Sequence, residues 1–184
     1  METLKKDYLL SGIKVIDAAS FIAGPSAATI MSDYGAEVIK IEPQNGDSLR
    51  NLITNGRMPE GPENYCWELT SRNKKSVSLN LKDQKAHDIL IDLIKEADVF
   101  ITNMPFPIRK KLKITSDDIR PHNAKLIYAS LTGYGEVGPD ADRTAYDSVA
   151  WWARSGLMDF VRPSNNSPVA WSTPGMGDHP TGMA

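Results

Sequence analysis

Short runs of β-branched and apolar residues alternate with segments of helical spacing along most of the chain, and this alternation constrains the fold more than any other feature. Ile13, Val15 and Ile16 open a first strand in "GIKVIDAASFIAGP", a stretch that ends at Gly24–Pro25. "SAATIMSDYG" then reads as a short helix, with Pro25 at its first position, where a missing N–H is harmless, and Gly35 as its stop. "AEVIKIE" (36–42) is a second strand, and "KSVSLNLK" (75–82) a third that alternates Val77, Leu79 and Leu81 with polar residues. The clearest helix is "DQKAHDILIDLIKEAD", where Ala86, Ile89, Leu90, Leu93, Ile94 and Ala97 share a face and Asp83 is placed to cap it. "DVFIT" (98–102) and "KLIYASL" (125–131) are further strands, separated by a short helix in "TSDDIRPHN" capped by Thr115 or Ser116. A last helical stretch, "AYDSVAWWARSG" (145–156), ends at Gly156. Strands alternating with helices require right-handed crossovers and a mostly parallel sheet. The expected class is α/β, Rossmann-like, with helices on both faces of the sheet.

Residues 43–70 are punctuated by Pro43, Gly46, Gly56, Pro59, Gly61 and Pro62 and read as one long functional or mobile loop. In parallel sheets, ligands sit beyond the carboxyl ends of the strands. The loops after Ala19, Glu42, Lys82, Thr102 and Leu131 are therefore the expected site. "GPSAATI" lacks the dinucleotide fingerprint, and "GYGEVG" follows a strand but precedes more loop.

The totals exclude several classes. A net charge of −2 gives no basic field for general nucleic-acid binding. A lone Cys66 cannot form an intramolecular disulfide, "METLKKDYLLSG" has no apolar signal core, and no apolar run approaches a membrane span. The expected location is cytoplasmic, with neither membrane nor metal involved. At 184 residues the chain fits one domain, or a domain with an incomplete second one.

The most chemically suggestive stretch is "GMGDHPTGM". From the residues alone, Asp178 is either a turn or helix-cap residue or a nucleophile. A carboxylate with an ordinary pKa near 3.9 is ionised at neutral pH and needs no general base. As a weak nucleophile it must be oriented and shielded from water. Flanking glycines would let a bulky thioester approach, and a helix starting at His179–Pro180 would turn its N–H groups toward the same place. Trp151 and Trp152 read as packing residues, with pocket lining as the other possibility, and "IRKKLK" (108–113) as either a basic solvated face or a phosphate contact.

"GIKVIDAASFIAGPSAATIMSDYGAEVIKIEP", "GDSLR", "RNKKSVSLNLK", "EADVFITN", "LIYASLTGYGEVGP", "AYD" and "GMGDHPTGM" occur in this order. Together they resemble the family III CoA-transferases of CaiB/BaiF type, the group of carnitine, formyl-CoA and bile-acid CoA-transferases. The resemblance implies that residues 1–184 are a CoA-binding, Rossmann-like domain, the N-terminal part of a larger two-domain fold that lacks here its small domain and C-terminal return. "HPTGMA" then reads as a helix cut short. It implies transfer of CoA from an acyl-CoA to a carboxylic acid, with Asp178 as nucleophile, coenzyme A as substrate and no resident cofactor. The implied CoA contacts are Phe21, Ile22, Ala23, Leu79, Asn103, Met104, Lys111, and Arg143 or Tyr146, with Lys74 and Lys75 as further cations. Met104 and Pro43 depart from residues common in the family. An interlocked homodimer is implied for the whole protein. "SFIAGP", "YGEVGPD", "YDSVAWWARSG" and "GDHPTGM" are closest in appearance to the transferases for phenyllactate and branched 2-hydroxy acids. The alternatives are a 2-methylacyl-CoA racemase, which needs a His where this chain has Tyr146, and a truncated CoA-binding fragment without turnover.

Overall fold

The computed structural model describes residues 8–53 and 58–184. The expectations for the first seven residues and for Gly56 lie outside the described residues. Five strands form one sheet: β1 (Lys14–Asp17), β2 (Glu37–Glu42), β3 (Lys75–Ser78), β4 (Val99–Thr102) and β5 (Ile127–Ser130). Their order is β3-β2-β1-β4-β5 and every neighbouring pair is parallel, with Val15 opposite Val38 on one side and Val99 on the other. The chain runs outward from β1 in both directions, so the gap between the loops after β1 and β4 is a topological switch point.

Helices cover both faces. They are α1 (Ala23–Asp33), α2 (Tyr65–Ser71), α3 (Gln84–Lys95), α4 (Phe106–Leu112), α5 (Ser116–Ile119), α6 (Leu157–Phe160) and α7 (Asp178–Met183). The two-residue period of the strands sends Val15, Val38, Val99 and Ile101 toward Ala28 of α1. It sends Ile16, Ile41 and Phe100 toward Leu90 and Ile94 of α3 and Ile119 of α5. Burial on both faces is why β1 and β4 read as continuous apolar runs. Phe100 also stacks on Tyr128 with ring centroids 5.5 Å apart.

The caps of α3 and α5 form as their sequences require. Asp83 Oδ1 accepts from the Lys85 and Ala86 amides, and Thr115 and Asp118 satisfy each other's amides in a capping box. Helix α1 starts two residues before Pro25, which still falls in the first turn, where no amide has an intrahelical acceptor. Gly35, at φ 98°, ends the helix.

Three expectations are corrected. Residues 43–70 are not one loop: a 3₁₀ turn at Ser48–Asn51 is capped by Asp47, and α2 is capped by Asn64. The prolines and glycines cluster just ahead of that cap, which hid the helix. Helix α4 was not expected at all, because its basic run looks wholly exposed. Instead Arg109 turns fully inward, to the Met104 and Leu131 carbonyls, Ser130 Oγ and Glu136. Finally, Ser148–Ala153 winds as a π-turn rather than an α-helix, which sets the Trp151 and Trp152 rings side by side at 6.2 Å.

Candidate active site

A cavity of about 470 Å³ opens at the carboxyl edge of the sheet. The loop after β1 supplies Ala19 and Ser20, the loop after β2 Asp47, the segment after β3 Leu79 and Lys82, and the loop after β4 Met104. Its exposed surface is mostly apolar, with Ser20, Glu42, Gln44, Asn45, Asp47, Asn80 and Lys82 as the polar residues of the wall, a mixture that suits a small-molecule site. Lys82 is the cationic side chain at this wall.

Beneath the cavity lies a buried ion cluster. Lys40 Nζ is 3.1 Å from Asp47 and 3.7 Å from Asp17, and Lys74 Nζ is 2.8 Å from Asp17. Lys74 also donates to the Pro25 and Thr70 carbonyls, tying α1 to α2. Burial pushes its ammonium pKa down, with Asp17 opposing the shift. Burial alone would raise Glu42, but hydrogen bonds from Arg50, Ser76 and the Asp47 amide outweigh it and hold the carboxyl at about 2. Buried charges persist only when paired in this way.

Asp178 does not line the cavity; it opens α7, which packs against α1. Helix α7 crosses α1 so closely that a Cβ at Gly182 would fall 2.6 Å from the Ala23 carbonyl oxygen. A Cβ at Gly177 would meet Trp151 Cγ at 2.6 Å, so the bareness of this glycine admits the indole rather than leaving an open approach. Asp147 Oδ2 accepts the Gly177 amide at 3.4 Å. His179 turns away from the carboxylate, its ring against Gly175 and its Nδ1 3.5 Å from Ser26 Oγ. Asp178 is the first residue of α7, one position before the expected start, and caps nothing. Among the described residues no group donates a hydrogen bond to its carboxylate. Burial pushes its pKa up to about 6, with the Asp147 charge adding to the shift. At pH 7 such a group is still about nine-tenths ionised.

The model of CoA-transferase family III matches residues 10–184. The chain belongs to this family. It is 41% identical over 177 residues to the (R)-2-hydroxy-4-methylpentanoate CoA-transferase of Clostridioides difficile, covering 96% of this chain and 44% of that protein. It is 40% identical over 176 residues to the cinnamoyl-CoA:phenyllactate CoA-transferase of Clostridium sporogenes, covering 95% and 42%. The crystal structure of Rv3272 from M. tuberculosis superposes with a TM-score of 0.84 at 31% identity, over 96% of this chain and 47% of that one. This family III chain thus spans under half the length of the relatives it matches.

Of the residues the family resemblance singled out, Leu79 and Met104 meet in the cavity wall. Phe21, Ile22 and Ala23 lead from that wall to α7: a Cβ at Gly175 would lie 3.2 Å from Ile22 Cδ1. Asn103 binds the Ser20 backbone through both ends of its amide. Lys111 is exposed on α4, and Arg143 pairs with Asp140 at 3.0 Å. Tyr146 exposes its ring while its carbonyl accepts the Val149 and Ala150 amides. None of these three lines the cavity. Lys75 is exposed and paired with Glu37, unlike buried Lys74. Trp152 is buried and donates to the Ala170 carbonyl.

Sequence reasoning missed Lys82, Asp147 and the Asp17–Lys40–Asp47 cluster. The available signal was a lysine inside the buried strand "VIKIE", where a charge demands a buried partner. Among the described residues, no cluster of three or more His, Cys, Asp or Glu side chains is placed to hold a metal ion, and no helix is long and apolar enough to cross a membrane.

Proposed function

We propose that the protein containing this chain transfers CoA from an acyl-CoA donor to a carboxylic acid, with Asp178 as the covalent nucleophile. The observation that carries this reading is the state of that carboxylate: half-buried, without a hydrogen-bond donor among the described residues, and raised to about 6. Structural carboxylates are commonly paired or cap a helix; one left unpaired with a raised pKa is a functional-site candidate. A higher pKa also makes the ionised form a stronger nucleophile, while leaving it ionised at neutral pH.

The steps balance without an outside base. An Asp178 oxygen attacks the donor thioester carbonyl, the C–S bond breaks, and a mixed anhydride and CoA thiolate result. The thiolate attacks the aspartyl carbonyl, releasing the donor acid as its carboxylate and leaving an aspartyl-CoA thioester. The acceptor carboxylate then displaces the thiolate to form a second anhydride. Attack of the thiolate on the acceptor's carbonyl releases the product thioester and restores Asp178. Leu79 and Met104 form the apolar wall for the CoA nucleotide, with Lys82 the cation for its phosphates. The relatives named for 2-hydroxy-4-methylpentanoate and phenyllactate support a branched or aryl 2-hydroxy acid as acceptor. Association of the full-length protein as a homodimer rests on the family resemblance.

The test is to incubate the full-length protein with acyl-CoA and hydroxylamine. The peptide containing Asp178 should appear as its hydroxamate. An unmodified Asp178 after donor turnover contradicts the mechanism.

A further inference from the structure

The backbone between Ala19 and Phe21 is gripped by side chains from several segments. Asp17 Oδ1 accepts the Ala19 amide at 3.1 Å, and Lys40 Nζ donates to the Ala19 carbonyl at 2.9 Å. Asn103 accepts the Ser20 amide at 2.8 Å and donates to the Ser20 carbonyl at 2.7 Å. Asp47 Oδ1 accepts the Phe21 amide at 3.2 Å. Four side chains thus hold five consecutive-residue polar groups.

Phe21 needs that grip. Its φ of 62° is left-handed, where Cβ crowds the backbone and a bulky residue is disfavoured. Such a conformation persists only when its surroundings over-determine it. The gripped segment also joins the two parts of the site. Ala19 and Ser20 line the cavity, and Ile22 reaches Gly175, three residues ahead of Asp178. Asn103 commits its oxygen and one amide N–H to Ser20, which fixes the plane of its side chain against that backbone.

We infer that Asn103 is a positioning residue that acts on acyl-CoA through the Ser20–Phe21 backbone, not by touching the ligand. The inference rests on the transfer reading above. Without the clamp, Ser20 is released, Phe21 relaxes toward negative φ, and the cavity wall loses its register with the Asp178 loop.

The test measures CoA affinity by calorimetry on the full-length protein, for wild type, Asn103→Ala, Phe21→Gly and the double variant. Asn103→Ala should weaken CoA binding about tenfold. In the Phe21→Gly background the same substitution should cost less than about threefold, because glycine takes a left-handed φ unaided. Amide exchange at Ser20 and Phe21 should also quicken in Asn103→Ala without any ligand, a readout independent of binding. Asn103→Asp, which keeps the acceptor and loses the donor, should give a smaller penalty with the same dependence on residue 21, and serves if the alanine variant does not fold. Equal penalties in both backgrounds, as a direct contact would give, overturn the inference, as does no penalty at all. A wild-type protein that fails to bind CoA removes the transfer reading and this inference with it. Wild-type binding with an unaffected Asn103→Ala removes the inference alone.

Discussion

Asp147 reaches the backbone next to Asp178: its carboxylate accepts the Gly177 amide at 3.4 Å, and its charge adds to the burial that raises Asp178 to about 6. If ionised Asp178 is the nucleophile, kcat/KM for acyl-CoA should rise with pH through about 6 and level off above it. Asp147→Asn removes the lesser cause of the shift and should move this limb to lower pH. A limb unmoved by that substitution would mean that another group titrates.

The same shift makes a stability prediction of opposite sign to the usual carboxylate case. Asp178 has a folded-state pKa raised above its unfolded value, so the folded state binds its proton more tightly. The destabilisation it causes is complete above about pH 6 and vanishes below its ordinary value of 3.8. Asp178→Asn should therefore raise the melting temperature at pH 7.5 while abolishing transfer, and should change it little near pH 3.5. Solvent screening at this half-buried site limits the gain to a few degrees at most, of the order of ~2–4 °C.

Lys82 is the cationic group in the cavity wall. Lys82→Ala should raise KM for acyl-CoA about tenfold, the usual worth of a charge-assisted bond, with kcat within about twofold. Steady-state kinetics decide this. An equal fall in kcat would move Lys82 from ground-state binding to the chemical steps.

Gly182 sets the separation of α7 from α1. The neighbour that a side chain would strike there is the Ala23 carbonyl, which is backbone and cannot swing aside. Gly182→Ala should destabilise the fold by about 1–3 kcal/mol, as overpacking does, and displace Asp178 with α7. Denaturant unfolding tests the first effect and single-turnover acylation the second.

Much of the fold was legible because parallel strands buried on both faces are written as continuous apolar runs: Val15–Ile16 and Val99–Phe100–Ile101 could hardly be read otherwise. Helix α3 was legible from one apolar stripe and an aspartate cap. The elements that escaped are decided by tertiary partners. Arg109 looks like surface until Met104, Ser130, Leu131 and Glu136 converge on it. Lys40 looks misplaced in a strand until Asp17 and Asp47 close around it. Asp178 was picked out by a resemblance; what gives it its chemical character is burial in the fold and the charge of Asp147, about thirty residues earlier in the chain, a separation that local spacing cannot reveal.

The most direct measurement follows oxygen. The full-length protein is first loaded with acyl-CoA, freed of excess donor, and then given a single turnover's worth of acceptor acid labelled with heavy oxygen in its carboxylate. If Asp178 is the nucleophile, the bridging oxygen of the second anhydride stays behind, and the peptide containing Asp178 carries the label after the product thioester leaves. A product thioester formed with no heavy oxygen on Asp178 would contradict it.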